Sequence, residues 1–308
     1  SLTDLTGGFG IDCSFLATGF KSATYVERQE ELCEIAAHNF PVLNLNHINI
    51  RNEDGVAYLQ AMSPVDCLFL DPARRNEHGG KTVAISDCEP NVAELEGLLL
   101  SKANRIMIKL SPMLDLSQAL KELPHTQEVH IISVNNECKE LLLLLGQTAP
   151  EEIPVHCVNL STKGEQEKQL FVFTREQEQH SECSYTDTLG NYLYEPNASL
   201  LKAGAFRSIA AAYSVKKLHP NSHLYTSETQ IEGFPGRTFR IINRCSLNKK
   251  EIKENLSDLK KANITVRNFP ATVAELRKRI KLAEGGDTYL FASTLNDGQK
   301  ILIRCGKV

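Results

Sequence analysis

Two short stretches hold side chains that could do chemistry. The first is Asp4-Leu5-Thr6-Gly7-Gly8-Phe9-Gly10-Ile11-Asp12. Leu2, Thr3 and Leu5 make a short β-prone run before the glycines, and Ile11, Phe15 and Leu16 follow at helical spacing. The reading is strand, glycine turn, helix. Glycine has no Cβ and reaches φ > 0, so backbone can pass close to a ligand there. The amides that open the helix then face that ligand. The dinucleotide fingerprint G-x-G-x-x-G would need a third glycine where Cys13 stands, or one where Phe9 stands. Acids flank the turn instead, at Asp4 and Asp12. Such a loop suits a ligand with ammonium and sulfonium charge and no phosphate, which describes S-adenosylmethionine better than NAD. The second stretch is Asp71-Pro72-Ala73-Arg74-Arg75. Asp71 can accept a proton or a hydrogen bond from a nucleophile. Pro72 removes a donor and fixes φ. Arg74 and Arg75 have the fork geometry that grips phosphate.

These residues must be held by a sheet. Val65–Leu70 is apolar throughout, as a parallel strand buried on both faces is, and it runs straight into Asp71. In open α/β sheets ligands lie beyond the carboxyl ends of the strands, so each strand end in this half is a candidate position. Strand Ala23–Val26 ends in Glu27-Arg28, and Glu27 lies 27 − 10 = 17 residues past Gly10. An acid about 20 residues on is where doubly wound sites bind ribose hydroxyls. Helix Gln29 to about Asn39 follows, then strand His47–Ile50 and Asn52-Glu53-Asp54-Gly55. An acid there could accept from an adenine amine, with Asp54 chosen and Glu53 the alternative. Helix Val56–Met62 leads into the Val65 strand. Asn76–Lys81 reads as a polar loop, Asn91–Ser101 as a helix and Arg105–Leu110 as a fifth strand ending in Ser111-Pro112. Helix Leu116–Leu123 and strand Glu128–Val134 follow. Leu141–Leu145 fits an antiparallel closing strand, although periodicity alone does not separate it from a helix. Val155–Asn159 and Gln169–Thr174 read as a further strand pair.

As a set, these features resemble the class I S-adenosylmethionine-dependent methyltransferases, over about residues 1–175. The resemblance implies a Rossmann-like methyltransferase sheet with helices on both faces. It implies that Asp4, Thr6, Gly7, Gly8 and Gly10 carry the methionine part of the cofactor and that Glu27, beside Arg28, holds the ribose. Asp54, with Gly55, would reach the adenine, and Asp71 and Pro72 would lie next to the transferred methyl. Asp-Pro-Ala-Arg-Arg also resembles the D-P-P-R motif of RNA methyltransferases that make 5-methyluridine. Those enzymes have a cysteine-proline pair after the fifth strand, where this chain has Ser111-Pro112. Methylating pyrimidine C5 needs a thiolate to add to C6, so transfer to nitrogen or ribose oxygen is expected instead. The candidate catalytic set is then Asp71, Pro72, Arg74, Arg75 and Ser111.

The second half begins with a polar stretch, 176–191, read as linker. A helix over Ala198–Val215 and a strand over His223–Ile231 follow. From Arg237 the pattern is strand (Thr238–Arg244), helix (Lys249–Ala262), strand (Ile264–Asn268), helix (Val273–Lys281) and two strands (Thr288–Ser293, Lys300–Cys305), with Asp297-Gly298 as a hairpin signal. Arg-Asn-Phe-Pro (Arg267–Pro270), the helix Glu275–Lys281 and the Gly285-Gly286-Asp287 turn resemble THUMP-like domains attached to RNA methyltransferases, and residues 192–236 resemble the small ferredoxin-like part beside them. The expected domains are 1–175, 176–236 and 237–308. The resemblance implies capture of RNA, a tRNA or an rRNA, by Arg240, Arg244, Arg267, Arg277, Lys278 and Arg279.

Charge agrees with that division. Of 34 Lys+Arg and 38 Asp+Glu, residues 231–308 hold 16 and 8, a net of +8 against −12 for the rest. Such asymmetry points toward nucleic acid. The nine cysteines are scattered and include no C-x-x-C, so neither a zinc site nor a disulfide framework is expected. A reducing cytoplasm is the simplest setting. No apolar run is long enough to span a bilayer. The chain opens inside its first strand without Met, which reads as a piece of a longer protein. The competing functions are methyl transfer to a protein or small molecule, and an RNA-binding protein with a relict cofactor pocket.

Overall fold

In the computed structural model, which describes residues 1–74, 84–162 and 168–308, the chain divides into two units, Ser1–Val158 and Asn159–Val308. The first unit alternates strand and helix: β1 (Leu2–Asp4), α1 (Ile11–Ala17), β2 (Ala23–Glu27), α2 (Glu30–Val42), β3 (Ile48–Asn52), α3 (Gly55–Ala61) and β4 (Val65–Leu70). A two-stranded ribbon, β5 (Ala73–Arg74) with β6 (Cys88–Glu89), comes next. It is followed by α4 (Val92–Lys102), β7 (Ala103–Leu110), α5 (Leu116–Glu122), β8 (Thr126–Val134), β9 (Glu137–Gly146) and β10 (Pro154–Leu160).

The strand order is β10-β8-β9-β7-β4-β1-β2-β3. From β3 across to β7 every pairing is parallel. The Leu141–Leu145 run is a strand and antiparallel, as the sequence reading held, and it is inserted between β7 and β8. Its Leu141, Leu143 and Leu145 are fully buried, the period-2 pattern of a strand with one covered face. Buried Cys67 and Phe69 of β4 pack with Leu2, Ala17 and Ala23, while Leu68 and Leu70, also buried, point to the opposite face. Chain order reverses beside β1, the position at which doubly wound sheets open a crevice.

In the second unit β11 (Lys168–Thr174) and α6 (Arg175–His180) precede β12 (Tyr192–Pro196), α7 (Ala198–Ala203), α8 (Phe206–Tyr213), β13 (Lys216–Lys217) and β14 (Tyr225–Ser227). Then come β15 (Gly236–Cys245), α9 (Lys249–Leu256), β16 (Asn263–Arg267), α10 (Val273–Ile280), β17 (Thr288–Thr294) and β18 (Lys300–Lys307). The strands from β12 onward form one sheet, ordered β13-β14-β12-β15-β18-β17-β16. Phe239, Phe291, Ile301 and Ile303 pack on one face with Leu193, Leu218 and Leu224. Cys245, Leu290, Ala292 and Leu302 pack on the other with Leu256 and Leu276 of the two late helices.

The βαβαββ pattern from residue 236 onward is present, but several expected spans are not. The expected helix 198–215 is two helices, because Gly204 turns left-handed at φ 75°. The expected strand His223–Ile231 shrinks to Tyr225–Ser227. His223 sits at φ 54°, and the Tyr194 hydroxyl takes the Ile231 amide at 2.9 Å and donates to the Thr229 carbonyl at 3.2 Å. Helix α9 stops at Leu256, and Asp258 just beyond is gripped by Arg304 at 2.9 and 2.7 Å. The expected linker begins within helix α6, which holds its residues 176–180. The Glu178 carboxylate there accepts the amides of Phe206, Arg207 and Ser208 at 2.8–3.0 Å, satisfying donors at the start of α8 that have no partner within the helix. No helix among the described residues is long and apolar enough to cross a membrane.

Candidate active site

A cleft of about 620 Å³ opens at the carboxyl ends of β1, β2 and β4, within the 300–1,000 Å³ range of small-molecule sites. Thr6, Gly8, Glu27, Arg28, Asp54, Gly55 and Asp71 line it. Gln29, Glu89, Asn91 and Glu94 also line it and were not singled out from the sequence. Glu89 comes from the β5–β6 ribbon, a pairing no periodicity reveals, and it pairs with Arg28 at 3.0 Å.

The glycine turn is shaped from behind. A Cβ on Gly7 would fall 2.3 Å from the Tyr25 ring, and one on Gly10 would fall 2.9 Å from Phe40. Those rings meet edge to face at 5.5 Å. The Tyr25 hydroxyl donates to the Gly8 carbonyl at 2.5 Å. Gly7 and Gly10 are therefore required by the loop's seat on β2 and α2, and neither is among the residues lining the cleft. Gly8 does line the cleft: it sits at φ 52°, with nothing closer to a Cβ than the Thr6 carbonyl at 3.8 Å. Gly55 is also a packing glycine, since its Cβ would strike the Leu5 carbonyl at 2.2 Å.

Both acids at the strand ends do local work. Glu27 accepts the Gly8 amide through Oε2 and the Gln29 amide through Oε1, each at 2.9 Å. A carboxylate has room for about four donors, so two positions remain for hydroxyls of a ligand. Asp54 caps α3 by accepting the Val56 and Ala57 amides at 3.0 Å, both through Oδ1. That leaves Oδ2 for a ligand. Glu53 does not line the cleft.

The charge of the loop differs from its sequence. Asp4 lies beneath the turn, 1% exposed. Its Oδ1 accepts the Thr6 amide at 3.0 Å, and its Oδ2 is buried with no partner among the described residues. Burial, with added repulsion from Asp12 and Asp71, pushes its carboxyl up to about 7 against the Thr6 bonds. Asp12 is ion-paired to Lys109 at 2.5 Å. The two acids that made the loop look anionic are thus largely neutralised by burial and by pairing.

Asp71 stands at the mouth of the cleft. Its amide donates to Thr6 Oγ1 at 2.6 Å, and its carboxylate meets Lys109 at 2.9 Å. Pro72 beside it is buried. Ser111 does not line the cleft; its hydroxyl accepts the Met113 amide at 3.3 Å. Arg75, the side chain of Arg74 and the Asn76–Lys81 loop lie outside the described residues. Lys109 was missed because an isolated lysine in an apolar strand carries no spacing signal.

The six basic residues expected to hold RNA divide. Arg240, Arg244, Lys278 and Arg279 are exposed. Arg267 pairs at 2.9 Å with Glu195, itself 2% exposed and also gripped by Arg237. Arg277 donates to the Ala262 carbonyl at 3.2 Å, and Arg279 to that of Leu247 at 2.9 Å. Away from the cleft, the rings of His130 and His156 stack at 4.4 Å beside Glu128. One ligand atom from each of the three lies within 4.8 Å of the others, close enough to hold a metal ion.

A doubly wound sheet with acids after its second and third strands, around a cleft over the crossover, defines a nucleotide-cofactor fold. Comparison with known proteins narrows it. A ferredoxin-like domain model matches residues 192–235, and a THUMP domain-like model matches residues 236–307. A solved structure described as a "putative methyltransferase from Porphyromonas gingivalis W83" is 38% identical, with a TM-score of 0.90, covering 100% of this chain and 77% of that one. The chain belongs to the same family, the class I S-adenosylmethionine-dependent methyltransferases with a C-terminal THUMP-like domain. Two further structures each cover about half of this chain. One is a Streptococcus mutans protein solved with SAH (14% identity, TM-score 0.36, covering 48% of this chain and 88% of that one). The other is an rRNA methylase from Streptococcus thermophilus (14%, 0.33, covering 47% and 85%). At those scores neither bears on this chain. No curated protein matches it.

Proposed function

We propose that the protein transfers a methyl group from S-adenosylmethionine to RNA, at a nitrogen or a ribose oxygen and not at pyrimidine C5. The observation that carries the proposal is the cleft itself. Its lining brings together Glu27 and Asp54, with acceptor capacity left over, and Asp71 just past the end of β4. The cofactor fits this set. Glu27 would hold its ribose, Asp54 its adenine, and the Gly8 turn its methionine part. Bound there, it would supply the reactive methyl.

The remaining roles belong to the chain. Asp71 accepts a hydrogen bond or a proton from the acceptor atom, held in place by its own amide bond to Thr6. Positioning at attack distance supplies much of the rate. Carbon methylation would need a low-pKa thiol at the cleft. No cysteine is among the residues lining it. The thiols of Cys13, Cys33 and Cys67 are all pushed up, burial being the main cause. For RNA the support is the THUMP-like match and the exposed Arg240, Arg244 and Lys278.

Calorimetry with S-adenosylmethionine, then labelled methyl transfer to total RNA with nucleoside analysis, tests the proposal. Asp71→Ala should remove turnover and change cofactor affinity by less than about threefold. Absence of binding heat would overturn the enzyme reading. Transfer to protein or metabolite but not to RNA would overturn the substrate.

A further inference from the structure

Lys109, the residue before the last in β7, lies between two acids. Its ammonium lies 2.5 Å from Asp12 on α1 and 2.9 Å from Asp71 after β4, and its side chain is only 20% exposed. The register explains the meeting. Leu70 pairs with Ile108 in the parallel β4–β7 ladder, so Asp71, just past the end of β4, comes beside Lys109, which β7 still holds in the sheet opposite Leu142 of β9. We infer that Lys109 is a positioning residue of the transfer site, keeping Asp71 an anion beside the cleft and tying it through Asp12 to the helix that follows the glycine turn. The inference rests on the methyltransferase reading.

The electrostatics require such a cation. Asp71 is half-buried, and burial is the main effect raising its carboxyl, opposed by the hydrogen bond and charge of Lys109. The charged groups facing the pair among the described residues are Asp4 from β1, Asp12 from α1 and Glu140 from β9. All are acids. With Lys109 absent, like charges a few ångströms apart would drive a proton onto one of them. A protonated Asp71 could no longer accept a proton from an acceptor. The ammonium also fixes direction: it takes Oδ2 of Asp71, while the Asp71 amide is held by Thr6 Oγ1 and the Thr6 amide by Asp4. Side chain and backbone of Asp71 are therefore anchored to different elements of one site.

The test is a carboxyl-carbon NMR titration of Asp71, assigned with Asp71→Asn, in the wild type, Lys109→Met, Lys109→Arg and Asp12→Asn. Lys109→Met should raise the Asp71 midpoint by at least about one pH unit, and Lys109→Arg should hold it within about half a unit. Asp12→Asn removes a like charge and should lower it, a shift of opposite sign that a merely structural contact would not give. The rate of methyl transfer to RNA between about pH 5 and about pH 9 should show its acid limb displaced upward in Lys109→Met, with the KM for the cofactor changed less than about threefold. An unmoved Asp71 midpoint in both Lys109→Met and Asp12→Asn would overturn the inference. If Lys109→Met fails to fold, Asp12→Asn decides by the sign of its shift. A wild type that binds no cofactor and methylates nothing would sink the methyltransferase reading instead, while the titration would still report on the ion pair.

Discussion

At the scale of single residues, Asp4 gives a pH dependence with a definite sign. Its folded carboxyl is raised to about 7 by burial, while in the unfolded chain it titrates at the ordinary value of about 4. The native state therefore binds more protons than the unfolded state between those values, and stability contributed by this group falls as pH rises through that window. The stabilisation relative to an ionised Asp4 is fully present below about pH 4 and lost above about pH 7. Asp4→Asn keeps an acceptor for the Thr6 amide and cannot ionise. Its melting temperature should fall less than that of the wild type between about pH 5 and about pH 8, a comparison that differential scanning calorimetry makes directly. Equal slopes in the two proteins would show that Asp4 titrates normally.

At the scale of elements, the glycine turn separates packing from ligand contact. Gly7→Ala puts a methyl into the Tyr25 ring, and overpacking of this kind costs roughly 1–3 kcal/mol. Gly8→Ala meets open space but a left-handed backbone, a cost of about 1–2 kcal/mol. Thermal melts should therefore fall further for Gly7→Ala. Calorimetry with the cofactor should show the larger loss of affinity for Gly8→Ala at temperatures where both are folded. Strand β15 carries the matching contrast in the second unit. Arg240 and Arg244 are exposed on it, and Arg267 on β16 is committed to buried Glu195. Arg240→Glu with Arg244→Glu should weaken RNA binding and flatten its salt dependence by roughly 1.5 in log–log slope, without moving the melting temperature. Arg267→Ala leaves Glu195 with Arg237 alone, and should destabilise by roughly 1–3 kcal/mol. If Arg267→Ala instead leaves the melt unchanged and weakens RNA binding, the assignment of these arginines is reversed.

At the scale of the whole molecule, the first unit forms one cofactor-type sheet, and the second is built on a single sheet shared by the ferredoxin-like and THUMP-like segments through the β12–β15 pairing. Family models divide those segments at residues 235 and 236. The boundary falls at the first residue of β15, and the ladder from Tyr192↔Arg240 to Pro196↔Gly236 joins the two segments across it. A Cβ on Gly236 would sit 2.1 Å from the Glu195 carbonyl, so close approach of the two strands depends on that glycine. Neither segment has a sheet edge to spare at this junction, which gives the two of them a common core.

The parallel strands, the loop between β1 and α1, and the acids after β2, β3 and β4 were all legible along the chain. Their signals are local: apolar runs, glycines and a strand-end position each lie within a few residues of the element they mark. What local order could not carry was pairing over distance. The reach of Lys109 to Asp12 and Asp71, and of Glu89 to Arg28, depends on strand register, which brings residues 97, 38 and 61 positions apart into contact. The charge state of the turn was equally hidden. Asp4 and Asp12 read alike as acids in sequence, and only burial of the one and pairing of the other decide which keeps a proton. Spacing thus marked the strand ends and the glycine turn, whereas desolvation and register, which exist only once the chain has folded, decided which side chains remain free to act.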